Sequence, residues 1–205
     1  MKNLNNYITE RLHITKQTGI ISYKYFPKTR NQLREILEEC LKKDKNANLN
    51  NIDVSKITNM SGLFSYLDPH NIDISAWNVS NVIDMTDMFY DCYNFNCDLS
   101  KWDISNVKNM GYMFDNCKNF NCDLSNWDVS NVTNMYRMFS YCDNFNSDLS
   151  NWNVSNVKSM YRMFCNCKKF EGKGLEKWNV SNVKFMQGMF DDCDSLKNKP
   201  SWYKE

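Results

Sequence analysis

The sequence repeats itself every 25 residues, and this period constrains the fold more than any other feature. Tryptophans recur at Trp77, Trp102, Trp127, Trp152 and Trp178, with spacings of 25, 25, 25 and 26. Phenylalanines and cysteines keep the same step. A fixed period of this length is typical of solenoids, in which each repeat is one coil that buries its apolar face against the next. The period therefore predicts an elongated stack of coils.

Within one repeat the apolar spacing changes from about two residues to about three and a half. Trp127 and Val129 are spaced as in a short strand, with Asp128 pointing outward. From residue 132 to residue 142 the apolar residues follow helical spacing, and Ser130 lies where a helix N-cap belongs. The predicted fold class is an α/β solenoid: a right-handed, leucine-rich-repeat-like stack of about six coils, with a parallel β-sheet on one face and short helices on the other.

The segment before the first coil is predicted to cover the end of the stack. It contains a β-rich run, "IISYKYF", followed by a helix over residues 30–43. Thr29 and Gln32 form a capping box, and one apolar stripe follows along the helix. We expect the polar first nineteen residues to be partly disordered. The predicted domains are an N-terminal segment and cap at 1–48, the solenoid at 49–196 and a C-terminal tail at 197–205.

The repeat "DLS-x-W-[DN]-[VI]-S-N-V-x-x-M-x-x-MF-x-x-C-x-x-FN" resembles that of the BspA-like leucine-rich repeat surface proteins, which also occurs in Mycoplasma-type lipoproteins. The resemblance covers residues 49 to about 196. It implies a leucine-rich-repeat-like solenoid that binds partners and has no catalytic role. Family members are often attached to the cell surface, where some act in adhesion.

Charge and hydropathy bear on partners and location. The formal net charge is +1, divided as +5 over residues 1–48 and −4 over residues 49–205. No global field therefore attracts nucleic acid or an anionic membrane. Because the sequence shows neither a signal-peptide core nor a run of eighteen apolar residues, we expect a cytoplasmic protein without membrane insertion. A cell-surface or extracellular location is the alternative.

The nine cysteines allow more than one interpretation. Most occupy one repeating position, which favours buried thiols that pack as small apolar groups. Cys92 and Cys97, with Cys117 and Cys122, form two C-x4-C pairs on neighbouring coils. A zinc site or a disulfide between Cys97 and Cys122 is therefore an alternative.

The recurring Asp and Asn residues also have two interpretations. Stacked carboxylates could bind calcium, but turn hydrogen bonds and amide ladders account for them better. His13 and His70 have no recurring partner, and no nucleophile or phosphate-loop motif is present. We therefore predict no enzymatic activity and no cofactor.

The predicted function is a non-enzymatic repeat module that recognises a protein partner, and no nucleic acid, through an extended face. The alternative is a cell-surface or virion adhesin, or a structural protein, whose export or anchoring element lies outside this chain. The oligomeric state and the choice of face stay open. The candidate partner-binding residues of the predicted helix face are Tyr112, Tyr136, Arg137, Tyr161, Arg162 and Phe185. Those of the predicted strand face are Lys101, Asp103, Asn126, Asp128, Asn151, Asn153 and Lys177.

Overall fold

The chain begins with an antiparallel hairpin. The computed structural model describes residues 8–15 and 19–204, with side chains from residue 22 onward. Strands β1 (Ile8–Thr15) and β2 (Gly19–Tyr25) pair in antiparallel register, with an irregularity near the start of β1. β2 lies where the β-rich run predicts a strand, whereas β1 lies in a segment expected to be disordered. The rest of that expectation falls outside the described residues.

Helix α1 (Arg30–Lys43) occupies the residues where the sequence predicts a helix. Thr29 Oγ1 accepts a hydrogen bond from the Gln32 N–H at 3.3 Å, but Gln32 Oε1 accepts from the N–H of Lys28 rather than from that of Thr29. One face of α1 joins the apolar core through Leu33, Ile36, Leu37 and Leu41. Among the described residues, no helix is long and apolar enough to cross a membrane.

Equivalent residues of successive repeats lie directly on one another. The rings of Phe89, Phe114 and Phe139 stack with centroids 5.5 and 5.6 Å apart. Each repeat tryptophan donates its Nε1–H to a main-chain carbonyl of the preceding repeat, as Trp127 does to Leu99 at 3.0 Å. The apolar side chains of one coil are therefore buried by its two neighbours, and a single repeat has no core of its own.

The predicted short helices are absent from the repeats. The only helix in the described part of the chain after α1 is a 3-10 helix at Leu175–Lys177. We number the coils so that Trp77, Trp102, Trp127, Trp152 and Trp178 lie in the second to the sixth. In the fourth coil, residues 135–138 form one β-turn and residues 139–142 a second, closed by N–H to carbonyl bonds of 3.3 and 3.0 Å. The third residues of these turns, Arg137 and Tyr141, have φ of 51° and 59°, as in type II turns.

Two consecutive turns imitate the apolar period of a helix. The first and last residues of both turns are buried, which gives the spacing i, i+3, i+4, i+7 that is also typical of an amphipathic helix. Ser130 caps no helix. Instead its N–H donates to Asp128 Oδ1 at 3.0 Å. The prediction of a helix was wrong because spacing alone does not distinguish these two conformations.

The predicted parallel sheet is also absent from the described repeats. Parallel pairing between coils is limited to isolated bridges. Five of them, from Asn59–Asp84 to Ser159–Phe185, lie beside the double turns, and two more, Tyr25–Ile52 and Asn48–Asp73, lie at the first coil. The main-chain N–H groups of Met135, Arg137, Phe139 and Tyr141 donate to carbonyls of the next coil at 2.8–2.9 Å. The tryptophan segment closes its own turn, from the Trp127 N–H to the Leu124 carbonyl. The hydrogen-bond ladder between coils therefore runs through the predicted helix.

A one-residue insertion explains the single spacing of 26. Gly172 and Gly174 have φ of 77° and 83°, in the left-handed region that favours glycine. The 3-10 helix Leu175–Lys177 follows directly and returns the chain to the register of the stack.

The C-terminal segment continues the stack, contrary to the predicted tail at 197–205. Trp202 stacks on Trp178 at 6.3 Å and donates its Nε1–H to the Leu175 carbonyl at 2.8 Å. Tyr203 packs edge-on against Phe190 at 5.0 Å. Trp202 is therefore a sixth member of the tryptophan ladder.

We expect Gly174→Ala to lower the free energy of unfolding by at least about 2 kcal/mol, measured by urea denaturation. A methyl group there would overlap the main chain of Ser150. Gly111→Ala is the matched control, because a Cβ at Gly111 meets mainly the Asn134 side-chain amide and equivalent positions carry larger residues such as Tyr136. Equal stability of the two variants would contradict the assigned backbone at Gly174.

Candidate partner-binding surface

The double turns of successive coils form one surface, here called the turn face. Its backbone is held by the hydrogen bonds between coils, so the side chains project from a fixed lattice. Within it, Tyr112 and Tyr136 lie 4.9 Å apart by ring centroid, and Tyr136 and Tyr161 lie 5.0 Å apart. The turn face consists of residues 61–66, 86–91, 111–116, 136–141 and 161–166.

The tyrosine contacts extend beyond the residues that the sequence singled out. Tyr66 contacts Tyr90 at 5.4 Å, and Tyr90 contacts Tyr112 at 6.2 Å. The five rings make one ridge across five coils, which we call the tyrosine ridge. Sequence reasoning missed Tyr66 and Tyr90 because the ridge crosses the repeat diagonally, through different repeat positions, and an alignment of repeats position by position separates them.

The two predicted arginines lie along this ridge. The guanidinium of Arg137 is 5.5 Å from the ring centroid of Tyr112 and 5.9 Å from that of Tyr141. Arg162 lies 5.4 Å from the Tyr161 ring. At these distances a guanidinium is attracted by the ring face. Arg137 is half-buried and Arg162 is exposed.

Phe185 is separate from the tyrosine ridge. It is 57% exposed and lies in the last coil, at a position occupied in earlier coils by Asp84, Asn109, Asn134 or Ser159. No ring contact joins Phe185 to another aromatic residue among the described side chains. The structure therefore does not bring this predicted residue together with the other five.

A buried carboxyl group lies beneath the ridge. Asp115 is 2% exposed, and its Oδ2 lies 2.8 Å from Arg137 Nε. The Nε–H does not point along this line, so the contact is a close approach of the two groups rather than a well-aligned hydrogen bond. Burial raises the pKa of Asp115 to about 7, against the opposing effect of Arg137. Neither Asp115 nor the buried hydroxyl of Ser140 was identified from the sequence.

The predicted strand face has no strand, and we call it the Asx face. All seven of its predicted residues are exposed. Oδ1 of Asp103, Asp128 and Asn153 accepts from the N–H of the serine two residues later, at 3.1, 3.0 and 3.2 Å. These bonds are Asx turns, and they confirm the turn interpretation of this row. The members of the Asx face are Lys101, Asp103, Asn126, Asp128, Asn151, Asn153 and Lys177.

A second row of Asp residues and a ladder of Asn side-chain amides also form hydrogen bonds within the fold. Asp98, Asp123 and Asp148 accept in the same manner, each at 2.9 Å. The Nδ2 group of Asn131 donates to the carbonyl of Ser105 in the previous coil at 2.7 Å. Within the described ranges, no group of three or more His, Cys, Asp or Glu residues has the geometry of a metal site.

The cysteine ladder consists of buried thiols. Cys117, Cys142 and Cys167 are fully buried, and each donates its Sγ–H to a phenylalanine carbonyl 28 residues earlier, at 2.9–3.0 Å. The interpretation as packed thiols is confirmed for this row. Burial raises the pKa of each of these thiols. All nine cysteines are free, including Cys97 and Cys122.

A protein-family model matches most of this chain. The family model described as "Mycoplasma protein of unknown function, DUF285" matches residues 31–143 and 101–203, which together span 31–203. The chain belongs to the DUF285 family. No curated protein and no solved structure matches it. The two DUF285 matches together include α1 from its second residue onward and all six coils.

The buried carboxyl group of this DUF285 protein makes stability depend on pH. Asp115 keeps its proton in the folded state up to about pH 7, whereas in the unfolded chain it ionises near its usual value of about 4. Stability from this group is thus present below about pH 4 and is lost as the pH rises towards 7. We expect Asp115→Asn to remove this loss, on the order of 1 kcal/mol per pH unit.

Urea unfolding of wild type and variant across this pH range measures the difference. Asp103→Asn is the matched control, because the carboxyl group of Asp103 is exposed on the Asx face. Parallel pH profiles for wild type and Asp115→Asn would contradict the burial effect.

Proposed function

We propose that this chain is a non-enzymatic protein-binding module, built as a BspA-like, leucine-rich-repeat-type solenoid, that binds its partner through the turn face. The observation that carries the proposal is the tyrosine ridge, with Arg137 and Arg162 along it. Tyrosine and arginine are among the residue types most enriched in the energetic centres of protein interfaces. Here they are brought together from several coils on one surface.

The backbone beneath the ridge supports the choice of this face. Alternate N–H groups of each double turn are bonded to the next coil, so the rings are already ordered before any partner arrives. Preorganised side chains lose less conformational entropy on binding. A tyrosine ring adds a large apolar area with a polar tip. The ridge therefore suits a partially apolar protein surface.

The Asx face is the weaker candidate. Three of its five Asp and Asn side chains, those of Asp103, Asp128 and Asn153, already accept hydrogen bonds from their own turns. A partner that recruited these oxygens would have to compete with those bonds, and Lys101 and Lys177 contribute exposed side chains of high conformational entropy.

The chemistry of the chain supports a binding role rather than catalysis. The thiols of Cys117, Cys142 and Cys167 have raised pKa values because they are buried, which makes them poor nucleophiles. A net charge of +1 gives no general attraction to nucleic acid. Nine free cysteines fit a reducing compartment, and we propose the cytoplasm as the location.

The test compares two double variants, one on the turn face and one on the Asx face. We expect Tyr161→Ser with Arg162→Asn to weaken binding of a captured partner about tenfold or more, since asparagine tolerates the positive φ of 52° at residue 162. Lys101→Ser with Asn126→Ser, on the Asx face, should bind as wild type does. Calorimetry with purified partner gives the dissociation constants, and circular dichroism checks folding.

The reverse pattern, with binding lost only in the Asx-face variant, would overturn the choice of face. A partner located outside the producing cell would instead favour a surface adhesin.

A further inference from the structure

The hydrogen bonds of the double turns have one direction along the whole stack, whereas main-chain bonds elsewhere in the coils, such as that from the Lys158 N–H to the Thr133 carbonyl, run to the preceding coil. In each double turn, four alternate N–H groups donate to carbonyls of the following coil. The last such set runs from the fifth to the sixth coil, where Met160, Arg162, Phe164 and Asn166 donate at 2.7–3.1 Å. At the double turns the two ends of the stack are therefore chemically different: the first coil presents carbonyl groups and the sixth presents N–H groups.

The carbonyl end is closed by helix α1. Arg30 Nε donates to the Ser61 carbonyl at 2.6 Å, and Arg34 Nη1 donates to those of Leu63 and Ser65 at 3.0 and 3.1 Å. These are the carbonyls equivalent to those that accept from the previous coil elsewhere in the stack. Two guanidinium groups thus replace the missing coil.

The N–H end has no equivalent closure within residues 19–204. The N–H groups of Met186, Gly188, Phe190 and Asp192 correspond to the four donors of every earlier coil. None of them donates to an acceptor in the described part of the chain. We call these four groups the amide edge.

Apolar side chains beside the amide edge are incompletely covered. Val180, Val183 and Met186 are half-buried, whereas the equivalent Val154, Val157 and Met160 of the fifth coil are at most 1% exposed. Phe190, in the same coil, is by contrast covered by the Tyr203 ring. The edge therefore combines unpaired donors with apolar surface, as does the edge strand of a sheet that takes up a further strand.

A second copy of the chain does not match this edge. Two amide edges would bring donors against donors, and the carbonyl end of a second copy is covered by Arg30 and Arg34. A small anion is disfavoured as well, because Asp191 and Asp192 are exposed acidic residues of the same segment as the donors.

We propose that the amide edge binds one extended segment of a partner polypeptide. The segment offers main-chain carbonyls at alternate residues to Met186, Gly188, Phe190 and Asp192, and sets apolar side chains on Val183 and Phe185. The acidic rim selects a basic side chain at the end of the segment near Asp191. This docking surface is separate from the tyrosine ridge.

The probe is a synthetic peptide that copies residues 156–167, with Cys165→Ser and Cys167→Ser. This segment contains two basic residues, Lys158 and Arg162, and in the protein it adds to a coil edge of the same kind. We expect it to slow amide hydrogen exchange at residues 186, 188, 190 and 192 of the full chain by about tenfold or more. A scrambled peptide should leave these rates unchanged. In the Ile83→Asn variant, the peptide should slow exchange as much as it does in the wild type.

Phe185→Asn should weaken binding of the peptide, and asparagine at this position already occurs in the third and fourth coils. Ile83→Asn is its matched control, since Ile83 is also an exposed apolar residue but lies four coils away. Unchanged exchange at the four amides with saturating peptide would overturn the proposal. Protection of the same amides in the free protein that rises with its concentration would overturn it too, in favour of a second copy.

Discussion

The hydrogen bonds between main-chain groups of successive coils are the constraint on which the rest of this structure depends. Each double turn leaves alternate N–H groups unused within its own coil and directs them to the next one. Buried N–H groups without partners are costly. A coil inside the stack therefore depends on the following coil for these acceptors. The same requirement fixes the spacing at which every side-chain row stacks.

The buried rows follow from this spacing and reinforce it. Stacked phenylalanine rings lie 5.5–5.7 Å apart through the middle coils. Tryptophan Nε1–H groups and cysteine Sγ–H groups each donate to carbonyls of the preceding coil. The largely apolar tryptophan and cysteine side chains thus also donate hydrogen bonds to main-chain carbonyls in the core. This double role accounts for tryptophan and cysteine where leucine and alanine would supply apolar volume alone.

The two proposed docking surfaces have different physical origins. The tyrosine ridge consists of side chains on coils whose backbone is already satisfied, so its composition varies freely from coil to coil. The amide edge arises because the double-turn N–H groups of the sixth coil have no acceptor in the described part of the chain, and its chemistry is that of the backbone. Helix α1 shows how the opposite end is satisfied: Arg30 and Arg34 donate to three carbonyls that would otherwise accept from a coil.

The sequence alone determined the period, the buried residues of each coil and helix α1, because these depend on which side chains avoid water and on local capping. It did not determine the conformation inside the coil, since two turns with a left-handed third residue bury the same positions as a helix. Only the tertiary structure decided between them, because the N–H groups of Met135 and Phe139 find acceptors in the next coil. The same holds for the surface: Tyr136 and Arg137 were predicted, whereas Tyr66, Tyr90 and the buried Asp115 join them only through stacking.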